Sequence, residues 1–112
     1  MKTVVIHITA DPRHSGRAAE GMRVADGLSH GEELAVSVLV DGAAAEAFAR
    51  PEREWIDESL LLKHLVALHL RHIPAKLVAV NGAAPDPHLV LEAATKVEAE
   101  MLCAGAAAVI EF

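Results

Sequence analysis

Tyrosine is absent from this chain of 112 residues, and one tryptophan with two phenylalanines supplies an aromatic content of only 3%. Since 53% of the residues are hydrophobic, the core has to be built from Ala, Val, Leu and Ile, and each alanine removes little area from water. Burial between subunits is then an expected source of extra stability, and a homo-oligomer is expected. Cysteine occurs once, at Cys103, which excludes an internal disulfide and fits a reducing cytoplasm. Basic residues number 10 against 16 acidic ones, giving a formal charge of −6, and they are scattered singly. Nucleic acid and anionic membranes, which require clustered Lys and Arg, are therefore not expected partners. No apolar run approaches the ~18 residues of a membrane span, and Met1-Lys2 leads into a strand-like run rather than a signal peptide. GxGxxG, Walker and HExxH patterns are missing as well, so no cofactor and no metal are expected. No repeat, low-complexity tract or linker divides the chain, which reads as a single α/β domain over 1–112.

Three short apolar runs are present: Thr3–Thr9, Leu34–Val40 and Leu77–Val80. Each feeds a loop bearing Gly, Pro or Asp and then an Ala-rich helical segment. Strands joined by helices in this way run parallel and place their exit loops on one edge of the sheet, where α/β proteins bind ligands. Both faces of the first run are largely apolar, as for a strand covered by helices on each side. Ser15 is the expected cap of a helix carrying Ala18, Met22, Ala25 and Leu28, and Gly31 its left-handed stop. After a short Ala-rich piece broken at Arg50-Pro51, the pattern predicts a long helix from Glu52 to about His72. That helix is apolar over most of its circumference, so its second side is expected to meet another subunit. Asp86 and Pro87 are expected to open a final helix running to about Cys103, followed by a fourth strand over 106–111. The simplest flavodoxin-like winding puts helices on both faces of a parallel sheet with strand order 2-1-3-4. Loops 10–15 and 81–87 then flank the site, beside Asp41-Gly42.

The segments Ile8-Thr9-Ala10-Asp11-Pro12, Arg17-Ala18-Ala19, Met22-Arg23-Val24-Ala25 and Val36 through Val40-Asp41-Gly42-Ala43 resemble the DsrE/DsrF-like family of small sulfur-metabolism proteins. The order of elements to Phe112 matches too. The resemblance implies an α/β protein that assembles into dimers, trimers or hexamers, and several members relay persulfide sulfur on a cysteine just after the third strand. A sulfur-relay protein is thus an implied partner. Here the residue after Leu77-Val78-Ala79-Val80 is Asn81, an amide that is no nucleophile and cannot hold a persulfide. A receiver domain is excluded because it needs an aspartate there and a lysine after the last strand. A flavodoxin needs a hydroxyl-rich phosphate loop after the first strand, where this chain has Ala10-Asp11-Pro12-Arg13.

The candidate binding residues are Asp11, His14, Asp41, Gly42, Asn81 and Gly82, all in the strand-exit loops. The expected function is a non-catalytic, oligomeric DsrE-like module that binds a small ligand or partner protein in sulfur-related metabolism. One alternative is a persulfide carrier acting through Cys103, although a thiol at a helix end has its pKa raised by the negative dipole and reads first as packed core or interface. Another is an enzyme that uses Asp11 and His14, with Asn81, for proton transfer. His7, among apolar strand neighbours, reads as a hydrogen-bonded core histidine. His64, His69 and His72 read as charge complements to the end of the long helix.

Overall fold

The computed structural model describes residues 1–50, 54–78, 86 and 89–112. In chain order they form β1 (Lys2–Ile8), α1 (Arg17–Leu28), β2 (Leu34–Val40), α2 (Gly42–Phe48), α3 (Glu58–Leu70), β3 (Ala75–Val78), β4 (Glu92–Ala94), α4 (Lys96–Ala104) and β5 (Ala108–Glu111). The strands build one parallel sheet in the order β4-β3-β2-β1-β5.

That order corrects the expected 2-1-3-4 winding. The third strand pairs with β2, not β1, with Val38 opposite Ala75 and Val40 opposite Leu77. The C-terminal strand takes the place beside β1, with Val5 opposite Val109 and His7 opposite Glu111. The reason lies in which face each helix covers. Residues of α1, α2 and α3 share one core with Val4, Ile6, Ile8, Val36, Val38 and Val40. Right-handed crossovers on the same face all step in the same direction, so β1, β2 and β3 follow one another outward. Ala99, Leu102 and Cys103 of α4 pack on the opposite face, against Val5, Leu39 and Val78. A crossover on that face steps back, and it returns the chain to β1.

The predicted final helix is likewise corrected: β4 occupies Glu92–Ala94, and α4 starts only at Lys96. Thr95 sets that start, because its side chain accepts the Glu98 N–H at 3.1 Å while Glu98 Oε1 accepts the Thr95 N–H at 3.3 Å. This reciprocal capping box is spelled by Thr95-Lys96-Val97-Glu98.

The long helix is shorter than its apolar pattern predicts. Ahead of Glu58, Asp57 adopts a left-handed conformation (φ 57°). Ile56 N–H donates to Pro12 O at 2.7 Å, and the Trp55 ring stacks on Phe48 with centroids 4.7 Å apart. Leu61, Leu65 and Leu68 are buried, whereas Leu60, Val66 and Leu70 remain 37%, 48% and 71% exposed. At its far end His72 takes a left-handed φ of 60°. Its N–H donates to His69 O and the Ile73 N–H to Leu68 O, both at 3.0 Å, which closes a Schellman motif. Helix α1 ends at Leu28 with Ser29 as its right-handed cap, so the left-handed stop expected at Gly31 is not used. Among the described residues no helix is long and apolar enough to cross a membrane.

Candidate functional site

Period-two alternation puts Val5 and His7 of β1 on the face that α4 covers, while Val4, Ile6 and Ile8 point the other way. Parallel register brings Leu39 and Glu111 alongside His7 on that same face. From α4, Lys96, Ala99, Glu100 and Cys103 fall at helical spacing onto one stripe. Between this stripe and the ends of β1, β2 and β5 lies a cavity of about 270 Å³, walled also by Asp41 and Val109. It sits at the exit edge of the strands, where parallel sheets present their loops.

Asp41 is fixed by its place in the fold. It caps α2, with Oδ1 accepting the Gly42 N–H at 2.8 Å. Gly42 holds a left-handed φ of 55°, which lets the chain turn directly from β2 into that helix. The other carboxylate oxygen, Oδ2, lies 3.1 Å from His7 Nε2. On the far side of the ring, Nδ1 is 3.4 Å from Glu111 Oε1. The His7 side chain is 17% exposed and that of Glu111 71%, so the imidazole forms the inner end of the site and Glu111 its rim.

Cys103 lines the same cavity. Burial pushes its thiol above the usual cysteine value, and the Asp41 and Glu111 carboxylates push it further the same way. Both effects favour the protonated thiol over the thiolate.

The remaining predicted residues separate. Asp11, 15% exposed, is held by Arg13, whose Nε and Nη2 donate to its two oxygens at 3.0 and 2.6 Å. The Arg13 hydrogen bonds keep the Asp11 carboxyl below its ordinary value against the opposing effect of burial. His14 is 79% exposed, and its Nε2 lies 4.0 Å from that carboxylate. Asp11 is thus neutralised by its own loop, and neither it nor His14 lines the cavity. Asn81 and Gly82 lie outside the described residues. His64 bonds Asp26 on α1, while His69 and His72 border a cleft at the opposite sheet edge with Lys76 and Glu92. Among the described residues no three His, Cys, Asp or Glu side chains are placed to hold a metal ion.

Sequence reasoning placed Asp41 in the site but missed His7, Glu111 and Lys96 as its companions. A signal was present: His7 and Asp41 both stand at strand C-terminal ends, where parallel sheets carry their functional groups. Glu111 could not be read this way without knowing that β5 lies against β1.

No family model and no curated protein matches this chain. Among solved structures, the YchN protein of E. coli superposes with a TM-score of 0.81 over 100% of both chains, at 24% sequence identity. The two share a fold.

Proposed function

We propose that this protein is a DsrE-like oligomeric module that binds a small ligand in the cavity between α4 and the ends of β1, β2 and β5, in sulfur-related metabolism of the cytoplasm. The family reading draws support from the fold shared with YchN, itself a DsrE/DsrF-like protein. One observation favours binding over sulfur transfer: the chain's single thiol lies in that cavity among partly buried surroundings and beside the Asp41 and Glu111 carboxylates, which disfavour its thiolate. A persulfide carrier needs a thiolate, which cationic neighbours or a helix start would favour. Asn81 supplies no substitute nucleophile at the position of the family's relay cysteine. Assembly is assigned to the outer side of α3, where Leu60, Val66 and Leu70 are exposed. The partner is a second copy of the chain or a relay protein.

The deciding experiment incubates the full chain with a persulfide donor and weighs it intact. The expected mass is unchanged. A gain of one sulfur atom, abolished by Cys103→Ser, would overturn the binding reading in favour of the carrier.

A further inference from the structure

The His7 ring stands in a row between two carboxylates, with Asp41 Oδ2 3.1 Å from Nε2 and Glu111 Oε1 3.4 Å from Nδ1. Strand pairing builds that row: Glu111 of β5 lies opposite His7 of β1, and Asp41 follows the last residue of β2. An imidazolium carries a proton on each nitrogen and can donate to both carboxylates. A neutral ring carries one proton, so one of the two carboxylates then faces a nitrogen lone pair. The whole row is satisfied in one protonation state only. Histidine side chains pass between these states at about pH 5 to 8.

The two carboxylates are not held alike. Asp41 makes the shorter contact, and its other oxygen accepts the Gly42 N–H at 2.8 Å, so it stays in place as the cap of α2. The Glu111 side chain is 71% exposed, on a strand whose four residues are all exposed. The backbone of β5 is secured separately, because Phe112 N–H donates to His7 O and Thr9 N–H to Phe112 O, both at 2.9 Å. What the ring can release is the Glu111 side chain, not the strand. From α4, Lys96, Glu100 and Cys103 face the same cavity. Glu100 repels the Glu111 carboxylate and Lys96 attracts it, and a ring without charge leaves Asp41, Glu100 and Glu111 against Lys96 alone.

We infer that His7 is a pH-operated clasp on the cavity rim: protonated, it ties the Glu111 carboxylate to Asp41, and neutral, it keeps Asp41 and frees the Glu111 side chain, opening the cavity from the β5 side. A proton on His7 thereby sets the width of the entrance. The clasp works on the rim whatever the cavity binds, so its test needs no ligand and is separate from that of the binding reading.

The test follows ¹³C,¹⁵N-labelled full-length protein by NMR from about pH 5 to about pH 8. Ring ¹⁵N shifts of His7 show which nitrogens carry protons, and the β-proton couplings of Glu111 show its χ1 rotamers. At the acid end both ring nitrogens are expected to be protonated and Glu111 to hold one rotamer. At the alkaline end the proton is expected on Nε2 alone and Glu111 to average over rotamers, with one midpoint for both changes. His7→Gln should remove the pH dependence of Glu111, and the dispersion of the spectra reports whether that variant is folded. If it is not, the wild-type titration decides alone. Glu111 rotamers that stay constant while the ring titrates, a ring that keeps one protonation state throughout, or a proton retained on Nδ1 instead of Nε2 would each overturn the clasp. So would an unchanged Glu111 response in folded His7→Gln.

Discussion

His64 Nδ1 lies 2.6 Å from Asp26 Oδ2, and this bond ties α3 to α1 across their packed flanks. Arg71, just beyond the end of α3, donates to the other oxygen of the same carboxylate. Asp26 and His64 side chains are each 14% exposed, so water replaces these bonds poorly. Burial by itself would raise the Asp26 carboxyl, but the hydrogen bonds from His64 and Arg71 outweigh it and the net displacement is downward.

A lowered folded-state value makes Asp26 a source of pH-dependent stability. Its contribution is complete above the unfolded aspartate value, near 3.8, and is lost as pH falls through the lower folded value. Asp26→Asn is expected to destabilise the protein at neutral pH by about 1–3 kcal/mol, because it removes the charge shared by His64 and Arg71 and one of the two acceptor oxygens, while Arg71 keeps Ser29 Oγ and the Asp26 carbonyl. Urea unfolding followed from neutral pH into acid should show the wild type converging on the variant. A constant gap at all pH values would contradict this account.

His72→Gly is expected to stabilise the protein by about 0.5–1 kcal/mol. The residue holds a left-handed φ of 60° at an exposed position, where a side chain adds strain and glycine does not. His72→Val should move the denaturation midpoint the other way, since a β-branched side chain tolerates that conformation least.

Gly21→Ala tests the contact between α1 and the C-terminal end of the sheet. A Cβ at this position would sit 2.9 Å from Ile8 Cγ1 and 3.1 Å from the Phe112 ring. Alanine gains about 1 kcal/mol of helix propensity, but overpacking a buried seam costs about 1–3 kcal/mol. A net loss of up to about 2 kcal/mol is expected from thermal unfolding. Faster amide exchange should appear at Thr9 and Ala10, whose N–H groups both donate to Phe112 O.

Alkylation of Cys103 by iodoacetamide should be slower at neutral pH than that of an unhindered peptide cysteine. Glu111→Gln should speed it, because that carboxylate is one of the groups raising the thiol pKa. A pH–rate profile that ignores this substitution would argue that Glu111 does not face the cavity in solution.

Light scattering checks the outer side of α3. If α3 carries the proposed self-association, Val66→Glu with Leu70→Glu is expected to abolish it and to leave the monomer's own stability within about 0.5 kcal/mol, since both positions are exposed. A wild-type protein that elutes as a clean monomer would remove this face as an interface.

Local patterns carried most of the elements but not their neighbours. The apolar runs marked β1 and β2 to within one residue, because strands largely buried on both faces leave a continuous signal, and the stretch after Gly105 marked the exposed β5 to within two. The three residues of β4 are too few to show a period, and the Thr95–Glu98 capping box that ends the preceding stretch was overlooked in favour of Asp86 and Pro87. Asp41, which lines the candidate cavity, was legible as a strand-exit residue because it follows directly on β2. His7 reads from the sequence as a hydrogen-bonded core histidine, and it is mostly buried and bonded to Asp41; that its neighbours in space are two carboxylates lining a cavity depends on the strand pairing.

The residues alone specified a small parallel α/β domain with an aliphatic core, a single thiol, and an amide at Asn81. These are properties of composition and short-range periodicity. Which strand lies beside which is a long-range matter, settled by whether each helix packs above or below the sheet. Placing α1 and α3 together on one face and α4 on the other brought β5 against β1, and with it Glu111 against His7. The cavity exists because of that pairing.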